Sequence, residues 1–198
     1  MEHYFTDQKS PYNPFLIPIT LKFASFTLYS AQGIFSAKEL DTGTKVLIEH
    51  MNIEKNTKVL DLGCGYGVVG IALLKKFPDA KVTFIDSNPR AILLTKKNLK
   101  KEGLLGDVRK SDCFSAVSEK FDTILTNPPY SAGRATCINF IKEAYTHLHQ
   151  KGTLQLVCRR RKGGDVLESV MKDVFGNVKV LGSKSGFRVY CSEFSEKI

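Results

Sequence analysis

The stretch that decides the fold is Asp61-Leu62-Gly63-Cys64-Gly65-Tyr66-Gly67. Residues 58–62, which overlap the start of this stretch, predict a buried strand, and the run after it, at 68–77, predicts a helix that ends before Pro78. Glycines in such a turn allow a sharp backbone path and a close approach of the backbone to a ligand. The stretch therefore predicts an open α/β sheet with a nucleotide-like ligand at the carboxyl ends of its strands.

Predicted strands alternate with predicted helices along the rest of the chain. Strands are expected at 58–62, 81–86, 106–110, 121–126 and 153–158, and helices at 68–77, 89–101, 135–150 and 166–175. This alternation is typical of a parallel, doubly wound sheet. Two last strands, at 177–181 and 187–194, are joined by too few residues for a crossover and should be antiparallel. We therefore expect a doubly wound, mostly parallel seven-stranded α/β sheet that ends in an antiparallel hairpin.

The N-terminal part of the chain differs from this pattern. Residues 1–18 contain several prolines and predict an irregular arm, whereas residues 19–29 alternate between apolar and polar, with one break, and predict a strand pair or one bent strand. A short helix is expected at 44–51. We predict a single domain over 1–198, with the arm, a β-hairpin extension and the short helix in 1–52 and the ligand-binding core in 53–198.

Composition and charge limit the classes of partner. The chain has 29 basic and 20 acidic residues, a formal net charge of +9, which favours a polyanionic partner such as nucleic acid. Its apolar runs are shorter than the ~20 residues of a membrane-spanning helix, and its N-terminus lacks a secretory signal pattern. The five cysteines form no C-x-x-C pair, which indicates neither a metal site nor a disulfide framework. We therefore expect a cytoplasmic protein with no membrane or metal partner.

Acidic residues lie at or just after the carboxyl ends of three of the predicted strands. Asp61 can accept a hydrogen bond from the ammonium of a methionine moiety, and Asp86 can accept from two ribose hydroxyls through its two oxygens. Asp112 can accept from the amino group of an adenine. The predicted ligand-binding residues are Asp61, Gly63, Cys64, Gly65, Gly67, Asp86, Ser87, Asp112, Cys113 and Asn127.

A nicotinamide dinucleotide is the competing ligand. Residues 65–70 match the G-x-G-x-x-G pattern of dinucleotide sites, and Asp86 would also suit the ribose of NAD. Asp61 argues against NAD, because a carboxylate two residues before the first glycine would face the pyrophosphate. Together with Asp112 and the motif at 127–130, it favours S-adenosyl-L-methionine as the cofactor, with S-adenosyl-L-homocysteine as its product.

The fourth core strand is followed by Asn127-Pro128-Pro129-Tyr130. An exocyclic amine is a poor nucleophile because its lone pair is delocalised, and acceptors on its N–H bonds help to localise that lone pair. The side-chain oxygen of Asn127 and the carbonyl of Pro128 can be those acceptors, and two prolines stiffen the backbone that presents them. Tyr130 can stack on a flipped or single-stranded base. The motif therefore predicts methyl transfer to an amine nitrogen, with 127–130 as the catalytic residues and positioning as the main source of catalysis.

Arginines follow the fourth and fifth core strands. Arg134 comes soon after the catalytic motif, and the run 159–162 comes directly after the fifth strand. Both loops should open at the carboxyl edge of the sheet, and guanidinium groups suit phosphate and base-stacking contacts. The predicted RNA-binding residues are Arg134, Arg159, Arg160 and Arg161.

Together these motifs resemble the small-domain class I S-adenosylmethionine-dependent methyltransferases, which act on exocyclic amines of nucleobases and on glutamine amides. Within that family the chain is most similar to the ribosomal RNA guanine-N2 methyltransferases and their compact single-domain archaeal relatives. The resemblance extends over residues 21–194 and includes Gln32-Gly33-Ile34-Phe35-Ser36 and Leu40-Asp41-x-Gly43 upstream of the glycine run. Ile34 stands where the family has valine, and Tyr130 stands where the bacterial enzymes often have phenylalanine.

The resemblance implies methylation of guanine N2 in ribosomal RNA, with RNA or a small-subunit particle as the partner. The bacterial relatives carry a second, degenerate copy of the domain, so target recognition is expected from this domain, its arm or a partner. Two other activities remain open, methylation of adenine N6 and of a protein glutamine, because the Asn-Pro-Pro-Tyr motif serves all three. A non-catalytic RNA-binding module is the alternative from another class.

Overall fold

The computed structural model describes residues 11–54, 57–129 and 133–196. They form nine strands, which build two sheets, and five α-helices. The strands are β1 (Phe15–Thr20), β2 (Ser25–Ser30), β3 (Lys58–Leu62), β4 (Lys81–Asp86), β5 (Asp107–Lys110), β6 (Phe121–Thr126), β7 (Leu148–Arg159), β8 (Lys179–Lys184) and β9 (Phe187–Glu193). The helices are α1 (Thr42–His50), α2 (Val68–Lys76), α3 (Pro89–Glu102), α4 (Arg134–Thr146) and α5 (Asp165–Phe175).

The main sheet has seven strands in the order β5-β4-β3-β6-β7-β9-β8. Neighbours from β5 to β7 are parallel, whereas β9 is antiparallel to both β7 and β8. The predicted mostly parallel sheet with an antiparallel end is therefore confirmed. The chain winds outward from β3 to β5 and then returns to β6 on the other side of β3, so the carboxyl ends of β3 and β6 form a topological switch point.

Apolar side chains form a core on each face of the main sheet. One core joins α1, α2, α3 and the β1–β2 hairpin to the sheet, and its fully buried members include Leu47, Leu73 and Phe84. The other core joins α4 and α5 to the opposite face around Phe121 and Tyr190. Within the described part of the chain, no helix has the length and hydropathy needed to cross a membrane.

The β1–β2 hairpin confirms the predicted strand pair, but its first strand begins earlier than expected. β1 starts at Phe15, so the prediction of an irregular arm up to residue 18 is wrong. Ile17 and Ile19 point into the core, whereas Leu16 is exposed. Pro18 is tolerated inside β1 because, among the described residues, this strand pairs only with β2, so one of its edges carries no ladder hydrogen bonds there.

The boundary between α4 and β7 is also wrong in the prediction. The helix expected over 135–150 ends at Thr146, and the strand expected over 153–158 begins at Leu148. Leu148 is fully buried and pairs with Phe121, whose backbone N–H donates to the carbonyl of His147 at 2.9 Å. Gly152 therefore lies inside a strand and does not end a helix.

The connection between the last two strands is shorter than predicted. Gly182 was expected in a five-residue loop, but it belongs to β8, where an added Cβ would lie 1.9 Å from the ring of His50. This glycine permits β8 to pass close over α1. The remaining turn consists of Ser185 and Gly186, both with positive φ, as a tight two-residue hairpin requires. The other predicted boundaries differ from the observed ones by one or two residues at most.

Candidate active site

A cleft of about 690 Å3 opens at the carboxyl ends of β3, β4 and β6. It brings together most of the residues that the sequence predicted for the cofactor and for catalysis. The predicted residues that line it are Asp61, Gly63, Cys64, Gly65, Asp86, Ser87, Asp112, Cys113, Asn127, Pro128, Pro129 and Arg159. Tyr130 lies outside the described residues.

The glycine turn between β3 and α2 is held by backbone hydrogen bonds. The N–H groups of Gly63 and Cys64 both donate to the carbonyl of Ile85 at 2.9 Å, which ties the turn to the end of β4. Gly67 does not line the cleft but precedes α2, with a φ of 84° that favours glycine. Because Gly67 has no side chain, α2 is capped from the neighbouring strand, where Asp61 accepts from the N–H of Gly70 at 2.9 Å.

Asp61 is a nearly buried carboxylate at the floor of the cleft. Only 2% of its surface is exposed, and among the described residues it forms no ion pair. Burial raises the pKa of Asp61 to about 7, the hydrogen bond from Gly70 opposes this rise, and the charge of Asp86 adds to it. A cation placed beside Asp61 would relieve this penalty.

Asp86 ends β4 and is fixed by two backbone donors. Its Oδ2 accepts from the N–H of Gly65 at 2.9 Å, and its Oδ1 accepts from the N–H of Asn88 at 2.8 Å. Asn88 then caps α3 by accepting from the N–H of Arg90. A carboxylate has about four lone-pair sites, so each oxygen of Asp86 can accept more than one hydrogen bond.

The loop after β5 contributes a second side of the cleft. Asp112 is exposed there, and its backbone N–H donates to the hydroxyl of Ser115 at 3.1 Å. Cys113 has a positive φ of 47°, and its carbonyl accepts from the hydroxyl of Ser111 at 2.7 Å. Burial is the main cause that raises the pKa of the Cys113 thiol to about 11, so this side chain lines the cleft in its neutral form.

Asn127 stands directly after β6, on the other side of the switch point. The hydroxyl of Thr126 donates to the carbonyl of Leu62 at 2.9 Å and holds the ends of β6 and β3 together. The side-chain Nδ2 of Asn127 donates to Asp41 Oδ2 at 3.0 Å and to Thr44 Oγ1 at 2.8 Å. Pro128 and Pro129 follow in the same wall of the cleft.

The four predicted RNA-binding arginines occupy different positions. Arg159 lines the cleft, and its guanidinium lies 4.7 Å from the ring centroid of Phe187. Arg160 and Arg161 are exposed in the wide turn between β7 and α5, and Arg134 is exposed at the start of α4. Arg134, Arg160 and Arg161 are not among the described residues that line the cleft.

Several cleft residues were not predicted as site residues. They are Gly33, Ile34, Phe35, Ser36, Asp41, Thr44, Tyr66, Ser111, Thr136, Phe140, Lys162 and Phe187, among others. The segment from 33 to 43 was part of the family resemblance, and that resemblance was the signal that could have placed it in the site. Lys162 belongs to the basic run at 159–162, of which only the three arginines were predicted to bind RNA.

The fold and the cleft define an open α/β protein with a binding site for a nucleotide-like cofactor. Residues 25–191 match the methyltransferase small domain family. This chain belongs to that family, as the resemblance in the sequence indicated.

Known proteins with similar sequences include ribosomal RNA small subunit methyltransferase C of Haemophilus influenzae (strain PittGG), which is 38% identical over 170 residues. That match covers 84% of this chain and 51% of the relative, so the chain spans about half the length of that relative. The protein YbxB of Bacillus subtilis (strain 168) is 33% identical over 193 residues, and the match covers 95% of this chain and 96% of YbxB.

Two solved structures illustrate the similarity of fold. A T. thermophilus 16S rRNA N2 methyltransferase (RsmC), in complex with AdoMet and guanosine, has a TM-score of 0.80 at 24% identity and covers 96% of this chain and 52% of that chain. A methyltransferase from Pyrococcus furiosus has a TM-score of 0.64 at 22% identity, with coverage of 72% and 77%. These likenesses support the assignment of the fold.

Proposed function

We propose that this chain transfers a methyl group from S-adenosylmethionine to the exocyclic N2 of guanine in ribosomal RNA of the small subunit. The observation that carries the proposal is that Asn127 and Pro128 line the same cleft as Asp61 and Asp86. A candidate acceptor for an amine and a candidate cofactor site therefore share one cavity. The name of the relatives that are 37–38% identical over 167–170 residues supports ribosomal RNA as the substrate.

The residues of the cleft suit S-adenosylmethionine. Asp61 is buried, and its raised pKa makes a nearby cation favourable, which fits the ammonium of the methionine moiety. Asp86 lines the cleft with two acceptor oxygens that suit the ribose hydroxyls, and the exposed Asp112 can accept from the adenine amine. When bound, S-adenosylmethionine supplies an electrophilic methyl group.

The catalytic contribution of the protein lies in how it receives the amine. The side-chain oxygen of Asn127 and the carbonyl of Pro128 accept from the two N–H bonds of the amine. The amine nitrogen then becomes pyramidal, and its lone pair turns away from the ring. The prolines fix the backbone that presents these acceptors, so the contribution is one of positioning. In this proposal Tyr130 stacks on the base.

Basic residues on the cleft side of the sheet support RNA as the partner. Arg159 and Lys162 line the cleft, and Arg160 and Arg161 lie between them in the chain. Arg134 begins α4, which follows the catalytic motif. We assign these residues to the phosphate backbone of the RNA, because planar guanidinium groups bind phosphate oxygens through two N–H groups.

Transfer of a radiolabelled methyl group tests the proposal. Small ribosomal subunits, total RNA, DNA and protein are incubated with the enzyme and labelled S-adenosylmethionine, and the products are digested to nucleosides and amino acids. Label in N2-methylguanosine is the expected result. Label in N6-methyladenosine or methylglutamine, with none in N2-methylguanosine, would overturn the assignment.

Two controls separate the remaining classes of function. The variant Asn127→Ala should still bind S-adenosylmethionine in calorimetry and yet transfer no methyl group, because in this proposal Asn127 accepts from the amine. Binding of NAD in place of S-adenosylmethionine would instead indicate a dehydrogenase. Binding of RNA by a protein that binds neither S-adenosylmethionine nor NAD would indicate a non-catalytic module.

A further inference from the structure

A compact hydrogen-bonded group joins the start of α1 to the catalytic motif. Asp41 Oδ2 accepts from three donors, the backbone N–H of Thr44 at 2.8 Å, the hydroxyl of Thr44 at 3.1 Å and Nδ2 of Asn127 at 3.0 Å. Thr44 Oγ1 in turn accepts from Nδ2 of Asn127 at 2.8 Å. The group connects residues that are 86 positions apart in the chain.

The protons of this group can be placed by the chemistry of its members. An ionised carboxylate only accepts, so the atom of Asn127 that contacts Asp41 has to be the nitrogen. The hydroxyl of Thr44 donates its one proton to Asp41 and accepts through a lone pair. Both N–H bonds of the Asn127 amide are then engaged, one with each partner. The side-chain oxygen of Asn127 is left as the atom that can accept from a ligand.

We propose that Asp41, together with Thr44, is a positioning residue that holds the Asn127 amide in the orientation whose oxygen receives the substrate amine. This inference rests on the proposed function, in which Asn127 accepts from that amine. A rotation of the amide by half a turn would present an N–H group to the N–H of the amine. The acceptor would be lost, and two donors would face each other.

The local fold explains why Asp41 is in reach of Asn127. Asp41 is the N-cap of α1, a position that favours aspartate, and the helix begins beside the cleft. A Cβ added to Gly43 would lie 2.7 Å from the ring of Phe187 and 3.0 Å from Asp41 Oδ2. A glycine at this position therefore permits the first turn of α1 to approach β9 while Asp41 keeps its contact. The aspartate and the glycine of the Leu40-Asp41-x-Gly43 element thus serve the same arrangement.

The negative charge of Asp41 also affects Tyr66, another residue of the cleft. Tyr66 lines the same cavity and is 4% exposed. Burial raises the pKa of Tyr66, and the negative charge of Asp41 raises it further. A carboxylate that accepts from an amide N–H also draws electron density toward the amide oxygen, which makes that oxygen a better acceptor. Asp41 therefore contributes both orientation and polarisation.

Three substitutions separate this role from helix capping. Asp41→Ser keeps a good N-cap residue but is too short to reach Asn127, so we expect kcat for methyl transfer to fall about tenfold with unchanged cofactor affinity, because a hydrogen bond to a charged acceptor is lost. Asp41→Asn keeps a side-chain oxygen at the same length and should retain kcat within about threefold of the wild type. Thr44→Val keeps the shape and the backbone N–H and should lower kcat about threefold. Asp173→Ser, on the exposed face of α5, is the matched control and should change nothing.

A measurement that needs no turnover decides the inference independently. The side-chain amide of Asn127 is observed by nitrogen-15 NMR and assigned by its loss in Asn127→Ala. We expect its protons to exchange with solvent much more slowly than those of the exposed Asn13, and to exchange at least about fivefold faster in Asp41→Ser.

Each outcome bears on one claim. If the Asn127 protons exchange as fast as those of Asn13, or if Asp41→Ser leaves both exchange and kcat unchanged, the positioning role is wrong. The positioning role would also be wrong if Asp41→Ser lowers folding stability and cofactor affinity enough to explain the whole loss of activity. Asp41 would then act only as a helix cap. If the wild type transfers no methyl group to RNA, the proposed function fails, and the exchange measurement still decides the role of Asp41.

Discussion

Asp61 illustrates a conflict between folding and ligand binding in a single residue. Its pKa is raised from 3.8 to about 7, chiefly by burial. Between these two values the folded protein retains a proton that the unfolded chain has lost, so the free energy of unfolding decreases as the pH rises through this interval. The penalty is complete above pH 7, and its upper limit is about 4 kcal/mol at 1.36 kcal/mol per pH unit.

This conflict predicts a stabilising substitution. Asp61→Asn keeps an oxygen that can accept from Gly70 but carries no charge, so the ligand-free variant should be more stable than the wild type by about 1–3 kcal/mol at pH 8. The difference should shrink toward pH 4, where the carboxyl group is protonated in the folded protein and about half protonated in the unfolded chain. Urea denaturation at the two pH values measures it. An equal destabilisation at pH 8 and pH 4 would mean that Asp61 stabilises the fold through its hydrogen bond alone.

The same carboxylate should make cofactor binding depend on pH. Under the proposed function the ammonium of S-adenosylmethionine requires an ionised Asp61, so below pH 7 binding has to displace a proton. The association constant should then decrease by about tenfold for each pH unit below 7. Calorimetry in two buffers with different ionisation enthalpies should detect the release of up to one proton near pH 6. Asp61→Asn should bind weakly with no such dependence, and a pH-independent wild-type affinity would contradict the assignment of the ammonium to Asp61.

At the scale of elements, the sequence predicted those whose signals are local. The observed bounds of β3, β4 and β6 are the predicted ones, because buried parallel strands are short apolar runs with polar residues at their ends. The boundary between α4 and β7 was missed because Leu148, soon after the end of the helix, pairs with Phe121 of β6, and nothing in the local pattern marks this pairing. Gly182 was taken for a turn residue although its role is close packing on α1.

The same distinction between local signals and tertiary contacts applies to the residues of the candidate site. Asp61, Asp86 and Asn127 were predicted together because each lies at or directly after the carboxyl end of a parallel strand, and all such ends meet at one edge of the sheet. The contact between Asp41 and Asn127 could not be predicted, because it depends on how α1 docks against β7 and β9. That docking is a tertiary property with no periodicity in the sequence.

Packing of α2 on the sheet gives a prediction at the same scale. A Cβ added to Gly70 would lie 2.2 Å from Cε1 of Phe84, which is fully buried, and 2.9 Å from Cγ1 of Val82. Gly70→Ala should therefore shift α2 and lower the free energy of unfolding by about 1–3 kcal/mol, as overpacking of a core does. Cofactor affinity should fall as well, because α2 begins at the glycine turn.

A second substitution provides the control for this packing prediction. Phe84→Leu removes the ring that the new Cβ would meet, so the double variant should lose less stability than the sum of the two single variants. Urea denaturation of the four proteins measures the coupling. Additive losses would mean that Gly70 is required for its backbone freedom in the helix and not for the contact with Phe84.

For the whole molecule, the question is whether the positive charge acts as a general field or through particular contacts. The formal net charge is +9, and basic side chains occur on several faces. At physiological ionic strength the Debye length is about 8 Å, so exposed charges far from a bound RNA are largely screened. Lysines near the C-terminal ends of α2 and α3 also complement the helix dipoles, and this role requires no nucleic acid. Net charge alone therefore does not identify the binding surface.

Two charge-matched variants distinguish the field from the contacts. One replaces Arg159, Arg160 and Arg161 with alanine, and the other replaces three exposed lysines with alanine, namely Lys81, Lys96 and Lys100. Each removes three positive charges, so a general field predicts equal losses of RNA affinity. Direct phosphate contacts predict that the arginine variant reduces the slope of log K against log salt by about 2, at roughly 0.7 for each phosphate contact on single-stranded RNA, while the lysine variant stays close to the wild type. Fluorescence anisotropy with a labelled ribosomal RNA fragment from 50 to 300 mM salt measures both slopes. Equal slopes in the two variants would remove the arginine turn from the proposed RNA-binding surface and leave only the screened field of the whole protein to attract the substrate.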